Sequence, residues 1–290
     1  MTSTVTRASG LRAALANART DRRTLRAVGA ANALAARVGA EHGFDALWVS
    51  GLEVSAALGL PDENVLGPGD LAAVVQAVGR VSALPVIVDV DNAGGSVATA
   101  HRFAGDLAPA GAAALCLEDS AYPKVNSFAL HRTQQLTGIG LMGEQLDAMR
   151  RAGGPDLLLI ARTEALICGA GLEHALDRAR IFVESGADAV LIHSKDTTGR
   201  EALALAAAWA GPAPLVTVPT AFPHLTLDQL AEAGFTLAIY ANQLSRAALS
   251  AMRTAAGSFA ETGSFTATGT PLAGVQDLLQ VADPLASACV

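Results

Sequence analysis

Eight short apolar segments recur along this chain, and each of them ends on polar or charged residues. They occupy residues 24–30, 46–51, 85–91, 113–119, 157–163, 189–194, 215–220 and 237–242. Their richness in Val, Ile, Leu and Ala is typical of strands that are buried on both faces of a parallel sheet. Most are separated by Ala-rich stretches long enough for a helix. Eight strand–helix units in 290 residues predict a single (β/α)8 TIM barrel spanning residues 1–290.

The polar residues at the strand ends point to the location of a functional site. In a (β/α)8 barrel the carboxyl ends of the strands form the catalytic face. Here these ends supply Ser50, Asp89, Asp91, Glu118, Asp119, Arg162, Glu164, His193, Thr220 and Asn242. Packing alone does not explain so many charges, because charged side chains are seldom buried without partners. The sequence therefore predicts an active site at this end of the barrel.

The composition excludes several classes of protein. Hydrophobic residues make up 51% of the chain and charged residues 16%, which is the balance of a compact domain and not of a disordered one. A net charge of −7 without a basic cluster argues against nucleic-acid binding, although a local cationic site can still bind a small anion. No apolar run approaches the roughly 18 residues of a membrane helix, and no signal-peptide core is present. We therefore expect a cytoplasmic location and no membrane partner.

Four segments outside the strands have predicted roles of their own. Residues 1–23 are expected to form a helix that covers the bottom of the barrel. The connection 52–70 is rich in Pro and Gly, which predicts a loop with little regular structure. The connection 120–143 is predicted to be an active-site lid, made mobile by the three glycines near its end. Residues 254–290 are expected to form a C-terminal extension that closes with a helix.

Three carboxylates at neighbouring strand ends predict a metal site. Asp89 and Asp91 are two residues apart on one strand, so their side chains point the same way and repel each other unless a cation lies between them. Glu118 follows the next strand, and Asp62 in the preceding loop offers a fourth carboxylate. Oxygen ligands of this kind favour Mg²⁺, with Mn²⁺ as the alternative. The other interpretation is that these acids cap helices or pair with arginine.

Arg162 and His193 end the fifth and sixth apolar segments. An arginine offers a planar fork of donors to carboxylate or phosphoryl oxygens, and a histidine can donate a hydrogen bond or a proton near neutral pH. Arg162 could instead form an internal salt bridge with Glu118 or Glu164, and His193 could be a satisfied core residue. We predict that both act on a substrate and that Glu164 orients Arg162.

Two further segments lie next to these residues. Lys124, Asn126 and Ser127 lie in the predicted lid, where they could bind a phosphoryl or carboxylate group or form part of a solvated loop. Ser50 and the amides of Gly51 and Leu52 could form an anion-binding nest. Trp48, in the same segment, belongs either to this site or to the core.

Ten motifs occur in an order that resembles a known superfamily. They are Trp48–Leu52, Pro61-Asp62, Asp89-x-Asp91, Glu118-Asp119, Pro123-Lys124-x-Asn126-Ser127, Ala161-Arg162-x-Glu164-Ala165, Gly186–Ala189, His193-Ser194-Lys195, Val218-Pro219-Thr220 and Tyr240-Ala241-Asn242. Together they resemble the isocitrate lyase/phosphoenolpyruvate mutase superfamily over about residues 24–255. The lid sequence separates its branches. Carbon–carbon lyases carry Lys-x-Cys-Gly-His there, and this chain has neither that cysteine nor that histidine.

The lid is instead similar to that of phosphoenolpyruvate mutase, which interconverts phosphoenolpyruvate and phosphonopyruvate. The related phosphonopyruvate hydrolase tends to carry Thr where Asn126 stands, so Asn126 favours a mutase. The resemblance implies that Asp89 ligates Mg²⁺ directly, with Asp91, Glu118 and Asp62 acting through water. It implies that a small anionic substrate is bound by Trp48, Ser50, Gly51, Leu52, Arg162 and Asn242. It implies that Asp62, Lys124, Asn126, Ser127, Arg162 and His193 act on the phosphoryl group.

Several residues depart from the pattern of the superfamily. Residues 92–96 read Asn-Ala-Gly-Gly-Ser where Thr-Gly-Tyr-Gly-Asn is usual, and Ser120, Ala31 and Gln243 replace a Lys and two His. The exact substrate therefore stays open. The alternatives are phosphonopyruvate hydrolase, a mutase for a phosphate-analogue enol ester, a carbon–carbon lyase or oxaloacetate hydrolase, and an inactive relative that only binds a ligand. The resemblance also implies a homotetramer or homodimer, with a C-terminal helix that is sometimes exchanged between subunits.

Overall fold

The structure is a computed structural model that describes residues 7–127, 133–267, 269 and 271–281. Its strands form a closed barrel in sequence order, and every neighbouring pair is parallel. The strands are β1 Leu25–Gly29, β2 Ala46–Val49, β3 Val86–Asp89, β4 Ala114–Glu118, β5 Leu158–Thr163, β6 Ala189–Ile192, β7 Leu215–Thr217 and β8 Phe235–Tyr240. The predicted (β/α)8 barrel is confirmed.

Helices surround the barrel and extend its two ends. They are α1 Arg7–Thr20, α2 Ala33–Glu41, α3 Gly51–Leu58, α4 Pro68–Val81, α5 Val97–Ala110, α6 Ile139–Gly153, α7 Leu172–Glu184, α8 Arg200–Ala208, α9 Leu227–Glu232, α10 Gln243–Thr262 and α11 Val275–Val281. Several begin at a capping side chain: Asn32 accepts a hydrogen bond from the Ala35 amide at the start of α2, 2.9 Å away.

Alternate residues of each strand face opposite sides, which divides the core into an inner and an outer layer. Ile87, Cys116 and Ile160 belong to a cluster inside the barrel, and their neighbours Val88, Leu115 and others pack outward against the helices. Helix α1 contributes Leu11 and Leu15 to the inner cluster, so it closes the bottom of the barrel as predicted.

Helices begin in two segments for which the sequence predicts irregular structure. The connection 52–70 was predicted to be a loop, but Gly51–Leu58 forms α3 because an Ala-rich amphipathic stretch precedes the Pro and Gly residues. The glycines of 138–143 were expected to make the end of the lid mobile, but α6 begins at Ile139. A Cβ on Gly143 would lie 2.9 Å from the Ser185 hydroxyl, so this glycine permits close helix packing. Residues 128–132 of the predicted lid lie outside the described part of the chain.

The C-terminal extension leaves the barrel. Helix α10 has no buried residue in the described structure and exposes Leu249, Met252 and Phe259. Helix α11 follows Pro271, where a terminal helix was predicted, and the extension beyond residue 281 is not described. None of the described helices is long and apolar enough to cross a membrane.

Candidate active site

Strand alternation aims the predicted site residues into the mouth of the barrel. Asp89, Glu118 and Arg162 each stand two residues beyond an inward-facing apolar residue, so they share its direction and form the next layer above the inner core. All three are buried. The charges noted in the sequence therefore converge on the barrel axis.

The structure brings the predicted site residues together at this end. A cavity of about 70 Å³ is lined by Trp48, Ser50, Leu52, Asp62, Asp89, Lys124, Asn126, Ser127, Arg162, His193 and Asn242, among others. Gly51 and Asp91 line an adjoining cavity of about 190 Å³ that shares Asp89. Glu118 is buried close by, 3.4 Å from the Arg162 guanidinium. A volume of about 70 Å³ is small for a ligand site, and Lys124, Asn126 and Ser127 occupy part of its wall.

Lys124 joins the lid to the acidic side of the pocket. Its ammonium lies 3.1 Å from Asp62 Oδ1 and also contacts Asp91. Asn126 donates to Asp62 Oδ2 over 2.6 Å, and the Lys124 amide donates to Asn64 Oδ1 over 2.6 Å. Asp62 is thus the point to which the two lid side chains are attached.

Two of the carboxylates titrate far from their ordinary range. Burial raises the pKa of Asp91 to about 6, although the Lys124 charge opposes it. Burial likewise raises the pKa of Glu118 to about 8, against the Arg162 charge. Glu118 Oε1 accepts a hydrogen bond from Ser120, 2.6 Å away, but buried Oε2 has no hydrogen-bond partner among the described residues. The site therefore holds more buried negative charge than its two cations stabilise.

The same carboxylates have the chemistry of a divalent-cation site. Asp89, Asp91 and Glu118 offer only oxygen donors. Glu118 Oε2 has no hydrogen-bond partner among the described residues and only a 3.4 Å ion-pair contact with Arg162, so a bound cation would satisfy it. In the described part of the chain, however, no three His, Cys, Asp or Glu side chains are arranged to hold a metal. Lys124 makes the contact with Asp91 that a cation would make. The donor types are those that Mg²⁺ or Mn²⁺ prefers, and the Lys124 ammonium contacts one of them in this structure.

Arg162, Glu164 and His193 form a buried triad on the other side of the pocket. Arg162 Nε donates to Glu164 Oε1, and His193 Nδ1 lies 2.8 Å from both that oxygen and Arg162 Nη2. The internal pairing weighed for Arg162 is thus present, and Glu164 holds both side chains. Ser127 Oγ donates to Glu164 Oε2 over 2.8 Å, which ties the lid to the triad.

The protonation states of the triad follow from its packing. Burial alone would raise the pKa of Glu164, but the Arg162 charge and the hydrogen bonds with His193 and Ser127 hold it well below its usual range. Burial lowers the pKa of His193, with Arg162 adding to this effect and Glu164 opposing it. The imidazole is therefore neutral at pH 7 and offers one donor and one acceptor nitrogen.

Asp119 has a positioning role that strand-end reasoning did not assign. It faces outward, opposite to Glu118, and accepts from Arg178 Nε at 2.6 Å, the Glu164 amide at 2.7 Å and Thr163 Oγ1 at 2.9 Å. These contacts fix the backbone that carries Glu164. The alternation of inward and outward residues in the sequence was the signal that separates Asp119 from Glu118.

The unusual segment 92–96 lies beneath the lid. Asn92 is buried and its side chain accepts from Asn64 Nδ2 at 2.9 Å. Gly95 has a positive φ of 70°, and a Cβ there would fall 2.4 Å from Tyr122 Cβ. Segment 92–96 therefore packs against Asn64 and Tyr122.

Trp48 lies between the core and the pocket. The ring is buried in the inner cluster, while the side chain also lines the pocket. Its Nε1 has no hydrogen-bond partner among the described residues. A buried indole normally finds an acceptor, so a ligand in the pocket would supply one.

The chain is similar to known proteins over most of its length. The family profile described as phosphoenolpyruvate phosphomutase matches residues 15–260. The chain is 34% identical to phosphonopyruvate hydrolase of Variovorax sp. (strain Pal2) over 96% of this chain and 95% of that protein. It is 38% identical to phosphoenolpyruvate phosphomutase of Streptomyces hygroscopicus, over 78% of this chain and 72% of that one.

A solved structure is similar across the whole fold. A phosphonopyruvate hydrolase in complex with oxalate and Mg²⁺ superposes with a TM-score of 0.86 at 33% identity, covering 95% of this chain and 94% of that one. Mutase and hydrolase relatives have comparable identity, so the comparisons fix the family and not the specific reaction. The chain belongs to the phosphoenolpyruvate phosphomutase family.

Proposed function

We propose that this protein is a Mg²⁺-dependent phosphoenolpyruvate phosphomutase, which forms a carbon–phosphorus bond by moving a phosphoryl group within its substrate. The observation that carries the proposal is the Asn126–Asp62 hydrogen bond of 2.6 Å, beside the Lys124–Asp62 ion pair. Together they close a polar lid over the pocket. A carbon–carbon lyase or oxaloacetate hydrolase is disfavoured because residues 120–143 contain no cysteine that could transfer a proton.

The substrate class is a small anion such as phosphoenolpyruvate or phosphonopyruvate. Asp89, Asp91 and Glu118 would hold the metal, which would supply an electrophile for the enolate oxygen when bound. Ser50 and the backbone of Gly51 and Leu52 would bind the carboxylate end. Trp48 and Asn242, which line the same pocket, would hydrogen-bond to the remaining oxygens.

The positive groups surround the place where a phosphoryl group would move. A loose, metaphosphate-like transition state needs positioning and dispersed positive charge more than covalent help. Arg162 supplies a fixed fork, because Glu164 and His193 hold it in place. Lys124 approaches from the lid side. When His193 Nδ1 accepts the hydrogen bond from Arg162 Nη2, the single proton of the neutral imidazole lies on Nε2, which can donate to a phosphoryl oxygen without adding charge.

Exclusion of water separates a mutase from a hydrolase. A water molecule that reached the moving group would convert transfer into hydrolysis. The lid is fastened to both walls, by Asn126 to Asp62 and by Ser127 to Glu164. These two hydrogen bonds favour transfer. Phosphonopyruvate hydrolase is the second candidate, since a relative with that name matches the chain over 96% of its length.

A phosphorus NMR time course with phosphonopyruvate and Mg²⁺ tests the proposal. Formation of phosphoenolpyruvate that stops on addition of EDTA would support the mutase. Formation of phosphate and pyruvate would identify the hydrolase. No reaction would direct the search to other enol esters, 2-oxo acids or a ligand-binding role. Asn126→Ala should stop phosphorus transfer in either direction, and unchanged turnover would contradict its role.

We also propose that the protein forms a dimer or tetramer. Leu249, Met252 and Phe259 are exposed on α10, although a 20-residue helix normally buries one apolar face. A second copy of the chain would cover them. Light scattering that gives the mass of a monomer would contradict this, and exchange of the C-terminal helix stays a prediction.

A further inference from the structure

Glu53 is a buried carboxyl group outside the network described above. It is the third residue of α3, directly after the Ser50–Leu52 segment. Its side chain is 4% exposed. Oε1 accepts a hydrogen bond from the Ser245 hydroxyl on α10. Oε2 is buried and has no hydrogen-bond partner among the described residues.

The unpartnered oxygen faces a backbone carbonyl across Gly29. A Cβ on Gly29 would lie 2.3 Å from Glu53 Oε2 and 2.4 Å from the Ala241 carbonyl oxygen. The two oxygens therefore border the same small gap where β1 and β8 meet. Both are hydrogen-bond acceptors when the carboxyl group is ionised. A buried carboxylate oxygen beside a carbonyl oxygen costs free energy, and a proton on the carboxyl group removes this cost by making it a donor.

The surroundings of Glu53 favour the protonated form. The neighbouring elements contribute Gly29 from β1, Ala241 after β8 and Ser245 from α10, none of which is charged. Burial raises the pKa of Glu53 to about 7, and hydrogen bonds with the side chain and backbone of Ser245 oppose the rise. No charge on the described residues contributes to this change in pKa.

We propose that Glu53 is a positioning residue that carries a proton in the folded protein and donates it to the Ala241 carbonyl. This bond would tie the strand end that carries Ser50–Leu52 to the strand end that carries Asn242. Both ends line the pocket. The inference rests on the proposed function only in taking these ends as the binding surface for an anionic substrate. Loss of the proton would place a negative charge beside that surface and release the two ends from each other.

Urea unfolding at a series of pH values tests the proton without any ligand. A carboxyl group with a raised pKa stabilises the fold at low pH and loses this contribution as pH rises through the folded pKa. Glu53→Gln donates the same hydrogen bond at every pH. Between pH 5.5 and 8, the unfolding equilibrium constant of the wild type should rise at least ~10-fold relative to this variant. Parallel pH profiles would overturn the proposal.

Two further variants sharpen this experiment. Glu201 is an exposed glutamate that also accepts a serine hydroxyl, from Ser194 at 2.6 Å, so Glu201→Gln should keep the wild-type profile. Ser245→Ala removes the hydroxyl that stabilises the ionised form of Glu53. It should shift the midpoint of the wild-type profile to higher pH, which a purely structural role of Glu53 would not produce.

Oxalate binding in the presence of Mg²⁺ tests positioning. Between pH 6 and 8, the affinity of the wild type for oxalate should fall by several-fold relative to Glu53→Gln, measured by calorimetry. An equal change in both proteins would refute the positioning role. Turnover of phosphonopyruvate is measured separately. If the protein shows the Glu53 effects but no turnover, the proposed reaction is wrong and the role of Glu53 stands. If it turns over phosphonopyruvate but shows no Glu53 effects, the role of Glu53 is wrong and the proposed reaction stands.

Discussion

Replacement of Asp119 by Asn should destabilise the protein more than almost any other single polar substitution. The carboxylate is fully buried and accepts three hydrogen bonds, one of them from the Arg178 guanidinium, which is itself 4% exposed. Asparagine keeps the shape but has one acceptor oxygen in place of two, and it leaves the Arg178 charge buried without an anionic partner, although Nη2 still donates to the Thr137 carbonyl. Breaking a buried pair in this way costs about 3–5 kcal/mol.

Equilibrium unfolding in urea measures this cost, with the midpoint and slope compared to the wild type. The matched control is Asp147→Asn, because Asp147 pairs with Arg151 four residues away on exposed α6 surface. An exposed pair of this kind contributes about 0.5 kcal/mol or less. A loss below about 1 kcal/mol for Asp119→Asn would refute the view that Arg178 depends on this carboxylate.

A second variant distinguishes lost charge pairing from general damage. Arg178→Met removes the cation, so Asp119→Asn combined with Arg178→Met should cost less than the sum of the two single changes. Asp119 also holds the Glu164 amide, 2.7 Å away. Single Asp119→Asn should therefore lower kcat more than it raises KM, because the Arg162 fork moves while the other pocket walls remain. Strictly additive costs would contradict the argument.

Three other changes test separate parts of the site. Mg²⁺ affinity measured by calorimetry should rise from pH 6 to 8.5, because a metal requires ionised ligands. Burial raises the pKa of Asp91 to about 6 and that of Glu118 to about 8, so both carboxyl groups lose their protons over this range. A constant affinity would contradict the assignment of these ligands. Lys124→Met should tighten Mg²⁺ binding by removing the ammonium that contacts Asp91. The same variant should lower phosphonopyruvate turnover by about 100-fold or more. Weaker Mg²⁺ binding would show that Lys124 does not compete with the ion. Gly95→Ala should lower the unfolding free energy by about 1–3 kcal/mol, because φ is 70° and the Cβ would meet Tyr122. Gly105→Ala in α5 is the control: a Cβ there has open space, so the variant should gain up to about 1 kcal/mol. Equal effects of the two alanines would refute the steric argument.

The strands were predictable from the sequence because their signal is strong. A buried parallel strand is apolar on both faces, so the fifth segment, predicted at 157–163, agrees closely with β5 at Leu158–Thr163. The same regularity places the polar strand ends. Once Ile160 is inside the barrel, Arg162 must also be inside, and Thr163 must face the helices. The positions of Asp89, Glu118 and His193 follow in the same way.

Features that depend on packing between distant segments were not predictable. The composition of 52–70 predicts a loop because Pro and Gly residues follow Leu58, and it conceals helix α3. The three glycines of 138–143 predict a mobile segment, but α6 begins at Ile139 and Gly143 packs against Ser185. The contact of Lys124 with Asp91 joins residues 33 positions apart, and no local pattern reveals it. Glu53 reads as an ordinary residue of an exposed helix until its neighbours are known.

The residues that depart from the superfamily pattern lie behind the walls of the pocket, where they contact the residues around it. Asn92 accepts from Asn64 Nδ2 at 2.9 Å, Ser120 donates to Glu118, and Gln243 accepts from the Asn242 amide at 3.0 Å. None of these three lines the 70 Å³ cavity. A change in support alters how tightly the lid and strand ends close without removing a contact to the substrate. The difference between transfer and hydrolysis in this chain should therefore appear as a difference in water access. Substitutions at these supports should change the ratio of phosphate to phosphoenolpyruvate formed before they abolish the consumption of phosphonopyruvate.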